Sequence, residues 1–391
     1  MDICISIFIY LTCFTSSIYF FKRAAIINER NAGKKNKYIF YVFLAIMIPC
    51  LLASLRDYSV GVDTQNYAFN IPSFAINNHD FKSIYISNGG GTEILFDLLI
   101  YLLTFFPING HIILFILQLL TILPIYMAAT KLKNKLMVPL LMGTYFFLFF
   151  NNSLNLSKQS ISCSFILLGI AYAYSDLEDN NKNIKYYICL VISVLFHKAA
   201  IFGVLLTVIC RLAGKSNKSV LIKFLVYSFA IIFPLFFTEF IRLLINSGIL
   251  SARFLNYVDL FVTNGENSEF HINPFSYYFI IEIVLRLSLI VIPLLFLKKS
   301  RRNQFERFLE MTQILGFLIY VVILFSMHIN YGQRISMFLE YFSILFIPFC
   351  VENWRIKYNQ RMILIYSVLV IYWLIWIVFL GWSGSGIYKF G

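Results

Sequence analysis

Long apolar runs recur along this chain too closely for a water-soluble domain to fit between them. A helix needs roughly 20 apolar residues to cross a hydrocarbon core of about 30 Å. Runs of that kind occupy 3–21, 38–55, 111–130, 136–150, 160–175, 224–246, 276–297, 308–327, 335–351 and 362–380. Of the 391 residues, 60% are apolar and only 13% are charged, and the mean hydropathy is +0.77. A soluble domain with so few charges would expose large apolar patches and aggregate. The pattern predicts an all-α polytopic integral membrane protein, one transmembrane domain over 1–391 with about ten membrane-spanning helices. The run at Ile3–Phe21 is long for a signal peptide, Asp2 replaces the usual basic start, and no A-x-A site follows, so it reads as a retained span.

Two segments fit a simple span poorly. Residues 94–106 are short and carry Glu93 and Asp97 at one end, and 186–210 have His197 and Lys198 at their middle. Basic residues concentrate in cytoplasmic loops of membrane proteins. Here they cluster at Lys22–Lys37, Lys131–Lys135, Lys182–Lys185, Arg211–Lys223, Lys298–Arg307 and Arg355–Arg361. All these clusters share one side only if 94–106 is re-entrant and 186–210 is a bent pair of half-spans with His197 near the outer surface. Irregular backbone at membrane depth is tolerated where protein buries it or water wets it. Both termini then lie outside. The net charge of +13 is accounted for by these loops, so no nucleic acid is expected as a partner. The seven cysteines lie in or at the ends of apolar runs without a CxxC pair, which indicates neither a disulfide framework nor a zinc site.

With that topology the outer loops are 56–92, 151–159, 247–275 and 328–334, and the polar clusters lie on them. The first is Arg56-Asp57-Tyr58-Ser59-Val60-Gly61-Val62-Asp63-Thr64-Gln65-Asn66-Tyr67. Arg56 directly follows a span, so it is expected at head-group height, either snorkelling or gripping a phosphate bidentately. Asp63, Asn66 and Tyr67 suit a sugar-binding surface; equally, Gly61 permits a turn and Asp63 caps the following helix. The second cluster is Asn151-Asn152-Ser153-Leu154-Asn155-Leu156-Ser157-Lys158-Gln159-Ser160, where Lys158 opposes the dipole of the helix it opens unless an anion binds there. The third is Phe196-His197-Lys198-Ala199-Ala200. A histidine at a break in a membrane segment is costly unless it pairs or works, and its pKa range suits acid–base chemistry. The fourth is His328-Ile329-Asn330-Tyr331-Gly332-Gln333-Arg334, ending in a second surface arginine, while loop 247–275 adds Arg253, Glu266, Glu269 and His271. Glu239 with Arg242 and Glu282 with Arg286 read as neutralising pairs on single helix faces; Glu340 has no partner by spacing. No metal-binding pattern appears, so no metal or cofactor is expected.

These clusters, in this order, resemble the EpsG family of bacterial exopolysaccharide proteins, related to the Wzy-type polymerases. The likeness rests on Arg56 with Val60-Gly61-Val62-Asp63-Thr64-Gln65-Asn66-Tyr67, on Glu93 opening an amphipathic segment, and on Asn155-Leu156-Ser157-Lys158-Gln159, where the family pattern has Arg in place of Lys158. It continues through Phe196-His197-Lys198-Ala199-Ala200 and Arg334 before Phe338, Tyr341 and Phe342. The resemblance implies a multi-pass protein of the bacterial cytoplasmic membrane that polymerises undecaprenyl-diphosphate-linked oligosaccharide repeat units on the outer face. On that reading the catalytic residues are His197, as general base, with Arg56 and Arg334; the diphosphate is held by Arg56, Lys158 and Arg334, and sugar by Asp63, Asn66, Tyr67 and Gln159. Asp63 is the alternative base. The partners would be the lipid-linked oligosaccharide, the bilayer, a flippase and a chain-length regulator. A flippase or transporter of the same lipid, and an outer-face glycan ligase, are the competing readings.

Overall fold

The computed structural model describes residues 3–29, 35–78, 81–82, 93–106, 109–131, 135–175, 181–215, 275–295, 303–327, 332–381 and 384–391, with scattered positions between 224 and 247. Backbone groups in lipid must find their partners within the chain, and a helix satisfies them all locally. The described residues accordingly fold as helices, with a single isolated antiparallel bridge between Arg56 and Phe390. In chain order these are α1 (Ile3–Glu29), α2 (Lys35–Ser54), α3 (Ile71–Asn78), α4 (Ile94–Leu103), α5 (Gly110–Ala129), α6 (Val138–Leu148), α7 (Phe150–Asn155), α8 (Ser157–Ala173), α9 (Lys182–Phe196), α10 (Ala200–Lys215), α11 (Tyr277–Leu295), α12 (Gln304–Met327), α13 (Gly332–Glu340), α14 (Ser343–Glu352) and α15 (Tyr358–Trp373). Wide π-type turns occupy Asn66–Asn70 and Leu374–Phe379.

The chain divides into two compact units, one of Met1–Ala200, Phe296–Lys298 and Ile347–Gly391, the other of Ile201–Leu295 and Lys299–Phe346. In the first, α6, α1, α2, α5, α8 and α9 pack in succession, each on the next; α15 covers α6 and α4 lies on α9. Aromatic side chains fill the α1–α6 junction. Phe14 stacks on Phe146 at 5.5 Å and meets Phe150 and Trp373 edge-on at 5.2 and 5.9 Å. In the second unit α12 packs against α11 and α13. Gly203 of α10 lies so close to Phe338 of α13 that a Cβ there would sit 2.5 Å from the ring.

Among the described residues seven helical segments are long and apolar enough to cross a membrane, against the ten full spans expected. The difference has local causes. The run 136–150 yields an 11-residue helix, because the backbone turns off at Phe149 before α7 begins. The run 160–175 folds as the 17-residue α8, and most of 224–246 lies outside the described residues. The run 335–351 is counted among the seven although a turn at Tyr341–Phe342 separates α13 from α14. The irregular segments came out as expected in their local form. Residues 94–103 make a short helix, and the run through 186–210 is interrupted at His197–Ala199 between α9 and α10.

Candidate functional site

Four segments converge in the first unit: the turn at Asn66–Asn70, the start of α4, the start of α8 and the end of α9. Beneath them lies a shared apolar floor of Tyr67, Phe96, Ile100, Ile113, Leu117, Ile161 and Phe196. The end of α9 is held by Ser162 of α8, whose hydroxyl donates to the Ser193 carbonyl at 2.8 Å. His197 then leaves the helix in an extended conformation, φ −153° and ψ 112°, and its carbonyl accepts from Ala200 N at 2.8 Å to open α10.

The polar centre is Glu93, immediately before α4 and 9% exposed. One carboxylate oxygen lies 2.5 Å from His197 Nδ1 and the other pairs with Lys158 Nζ. The ammonium also stands over the Phe96 ring at 4.8 Å and the Tyr67 ring at 5.5 Å, a cation–π arrangement that helps hold it in a partly dry place. Burial pushes the Glu93 carboxyl up, but the His197 hydrogen bond and the Lys158 charge together outweigh it and hold the group down at about 2. Glu93 is therefore an anion throughout the physiological range. The cluster can orient an imidazole and keep charge balanced while one side stays accessible, since the His197 side chain is 24% exposed.

The sequence-predicted residues separate into distinct surroundings. His197 and Lys158 come together, joined by a carboxylate that sequence reading had noted only as the start of a segment. Asp63 is half-buried, with its amide donating to Asn155 Oδ1 at 2.9 Å and its carbonyl accepting from Tyr67 N at 3.2 Å. That backbone bond gives Asp63 the helix-opening position expected of it. Asn66 is exposed and its side-chain oxygen accepts from Asn70 at 2.7 Å. Tyr67 and Gln159, expected to hold sugar, are buried, Tyr67 edge-on to Phe96 at 5.7 Å.

Arg56 departs most from expectation. Expected to snorkel or to grip a phosphate, it is 1% exposed and bonded to the chain itself. Its guanidinium donates to the Ala53 carbonyl, to the Leu154 carbonyl at 2.9 Å and to Thr64 Oγ1 at 3.4 Å. Burial draws it down to about 10, which leaves it charged at neutral pH. The groups it binds belong to the chain's own turns, so its visible role is to tie the end of α2 to α7. Gly61 in the same loop has φ +94°, the left-handed conformation that favours glycine, and a Cβ there would meet Thr64 Oγ1 at 2.7 Å. The loop is further clasped by the last residues: Asp57 N donates to Lys389 O at 2.8 Å, Gly61 N to Gly384 O at 3.1 Å and Gly391 N to Leu55 O at 3.0 Å. Asn151, in the second cluster, bridges Trp373 Nε1 at 2.9 Å and Ser385 Oγ at 3.2 Å, a structural junction.

Arg334 belongs to the second unit, exposed on the first turn of α13. In that unit the expected Glu282–Arg286 pair forms at 2.9 Å, and Arg286 also binds Glu340, which spacing alone had left without a partner. Glu239, Arg242, Arg253, Glu266, Glu269, His271, His328, Asn330 and Tyr331 lie outside the described residues, as does the side chain of Gln333. The signal that could have found Glu93 and Glu340 was charge accounting: Lys158 and Arg286 each lie in apolar surroundings where a carboxylate from another segment would be expected.

Comparison with known proteins adds one finding. No curated protein and no solved structure matches the chain. The EpsG family matches over residues 32–390, nearly the whole length, and takes in every described residue of the Glu93 cluster and of the Arg56 loop. By that match this multi-pass membrane chain belongs to the EpsG family, a Wzy-like polymerase family.

Proposed function

We propose that the chain joins undecaprenyl-diphosphate-linked oligosaccharide repeat units into a polysaccharide on the outer face of the bacterial cytoplasmic membrane. The observation that carries this reading is the Glu93–His197–Lys158 cluster at a helix break, in a chain of the polymerase family. His197 takes the proton from a sugar hydroxyl of the acceptor unit, and that oxygen forms the new bond to the anomeric carbon of the donor chain. The bond between that carbon and the diphosphate oxygen breaks, and the lipid diphosphate leaves with the electron pair. A cation stabilises the charge that develops on it. Of the three cations named for that task, Lys158 is held by Glu93 and Arg56 by backbone carbonyls; Arg334, which the family resemblance also assigns to the diphosphate, keeps that assignment. Asp63 and Asn66, half-buried and exposed in the turn that leads into Tyr67, are assigned to sugar. The step uses a base and a cation and calls for neither a nucleotide sugar nor a metal. A flippase would deliver the repeat units and a chain-length regulator would set when the product leaves.

A transporter for the same lipid has one specific support, the group in the second unit in which buried Glu282 and Arg286 meet the partly buried Glu340. Charged groups within membrane helices often mark transport pathways. Replacing His197 or Arg334 by Ala separates the readings. Each variant is expected to reach the membrane folded, to lose polymer by roughly a hundredfold, the usual worth of a general base or an oriented charge, and to leave single repeat units accessible from outside. Normal chain lengths in both variants would refute the polymerase assignment, and repeat units confined to the cytoplasmic side would support transport.

A further inference from the structure

Glu93 lies outside the set of residues that the proposed reaction uses directly, yet it touches two of the side chains first assigned to the site. An ionised carboxylate has no proton to give, so both of its neighbours must donate to it. Lys158 does so with its ammonium. His197 does so through Nδ1, and a neutral imidazole with its proton on Nδ1 carries its lone pair on Nε2. From this geometry we infer that Glu93 is a positioning residue, which fixes the His197 tautomer so that Nε2 is the base, and that Lys158 serves to keep Glu93 anionic.

The inference rests on the polymerase reading for its consequence, though not for its geometry. It deepens that reading by reassigning Lys158 from the substrate diphosphate to the carboxylate. Three features agree with it. The cluster is oriented from four segments, with the His197 backbone pinned between the Ser193 and Ala200 hydrogen bonds. The carboxylate is buried to 9% exposure, where its charge requires partners on both oxygens and has them. The depressed Glu93 carboxyl keeps the anion present throughout the physiological range. Among the described residues, Glu93 before α4 faces the imidazole, Lys158 on α8 reaches the same carboxylate, and Lys198 follows in the chain.

The test reads the tautomer directly. The sequence holds 5 histidines, so ¹⁵N-histidine labelling of the full-length protein in lipid nanodiscs gives few signals, and a His197→Asn sample identifies the one that matters. At a pH where the ring is neutral, His197 is expected to carry its proton on Nδ1. In Glu93→Gln, whose amide can donate to Nδ1, the proton is expected to move largely to Nε2. In cells making their own lipid-linked repeat units, Glu93→Gln is expected to lower polymer roughly a hundredfold, and Glu93→Asp to recover part of it. A wild-type His197 protonated on Nε2, or a tautomer indifferent to Glu93→Gln in folded protein, would overturn the inference. The expected tautomer shift with undiminished polymer would leave the positioning intact and refute His197 as the polymerisation base. The wild-type spectrum decides the tautomer even if Glu93→Gln does not fold.

Discussion

At the scale of single residues, Arg56 and Glu93 show opposite ways of keeping a buried charge. Arg56 gives its donors to backbone carbonyls, whereas Glu93 meets the side chains of Lys158 and His197 from two other segments. The sequence placed Arg56 correctly next to the end of a span, but the Leu154 carbonyl that captures it lies 98 positions away and no local pattern announces it. The Gly61 turn was legible, because only a local conformational demand is involved. Glu93 carries a testable pH signature. Its carboxyl falls from 4.5 to about 2 on folding, so it contributes stability above pH 4.5 that is lost as pH drops toward 2. The stability difference between wild type and Glu93→Gln in detergent is expected to be about 2 kcal/mol at pH 5 and to shrink as the pH is lowered from there toward 2. Denaturation at a series of pH values checks this; a difference that widens on acidification would contradict the assigned sign.

At the scale of elements, the interruption at His197–Ala199 and the closing segment 384–391 do the most to shape the first unit. The interruption could be read from sequence, since a histidine and a lysine at the centre of an apolar run are too costly to leave in a continuous lipid-facing helix. The break at Phe149 could not, because 136–150 contains no charge or proline at that point to mark it. Nor does composition hint that the last residues return to the first loop. There Tyr388 donates to the Leu52 carbonyl at 2.7 Å and Tyr10 to the Ser385 carbonyl at 2.6 Å. A chain ending at Gly381 is expected to lose these bonds along with those to Asp57 and Gly61. At about 1 kcal/mol for each net hydrogen bond, that loss is a large part of a marginal stability. Limited proteolysis should show the 56–64 loop cut in the truncated protein and protected in the full chain. Equal protection in both would mean that the clasp is dispensable.

At the scale of the whole molecule, membrane class, helical content and family were all legible, because hydropathy and the spacing of polar clusters are properties of the sequence itself. Seven candidate spans stand among the described residues, and the expected ten-span arrangement with both termini outside is an ordering that charge bias alone supports. The Glu282–Arg286 pair was readable at helical spacing, while the Glu340 contact needed the tertiary fold. The same limit explains the site: His197 and Lys158 were nominated separately, and only the fold supplies the carboxylate between them. The most direct measurement of the central claim is a gel of lipid-linked and surface glycans from a strain lacking this protein. A polymerase acting after the flip predicts single repeat units, accessible from outside the membrane, with no polymer. Full-length polymer left on its carrier lipid, or repeat units trapped on the cytoplasmic side, would contradict it.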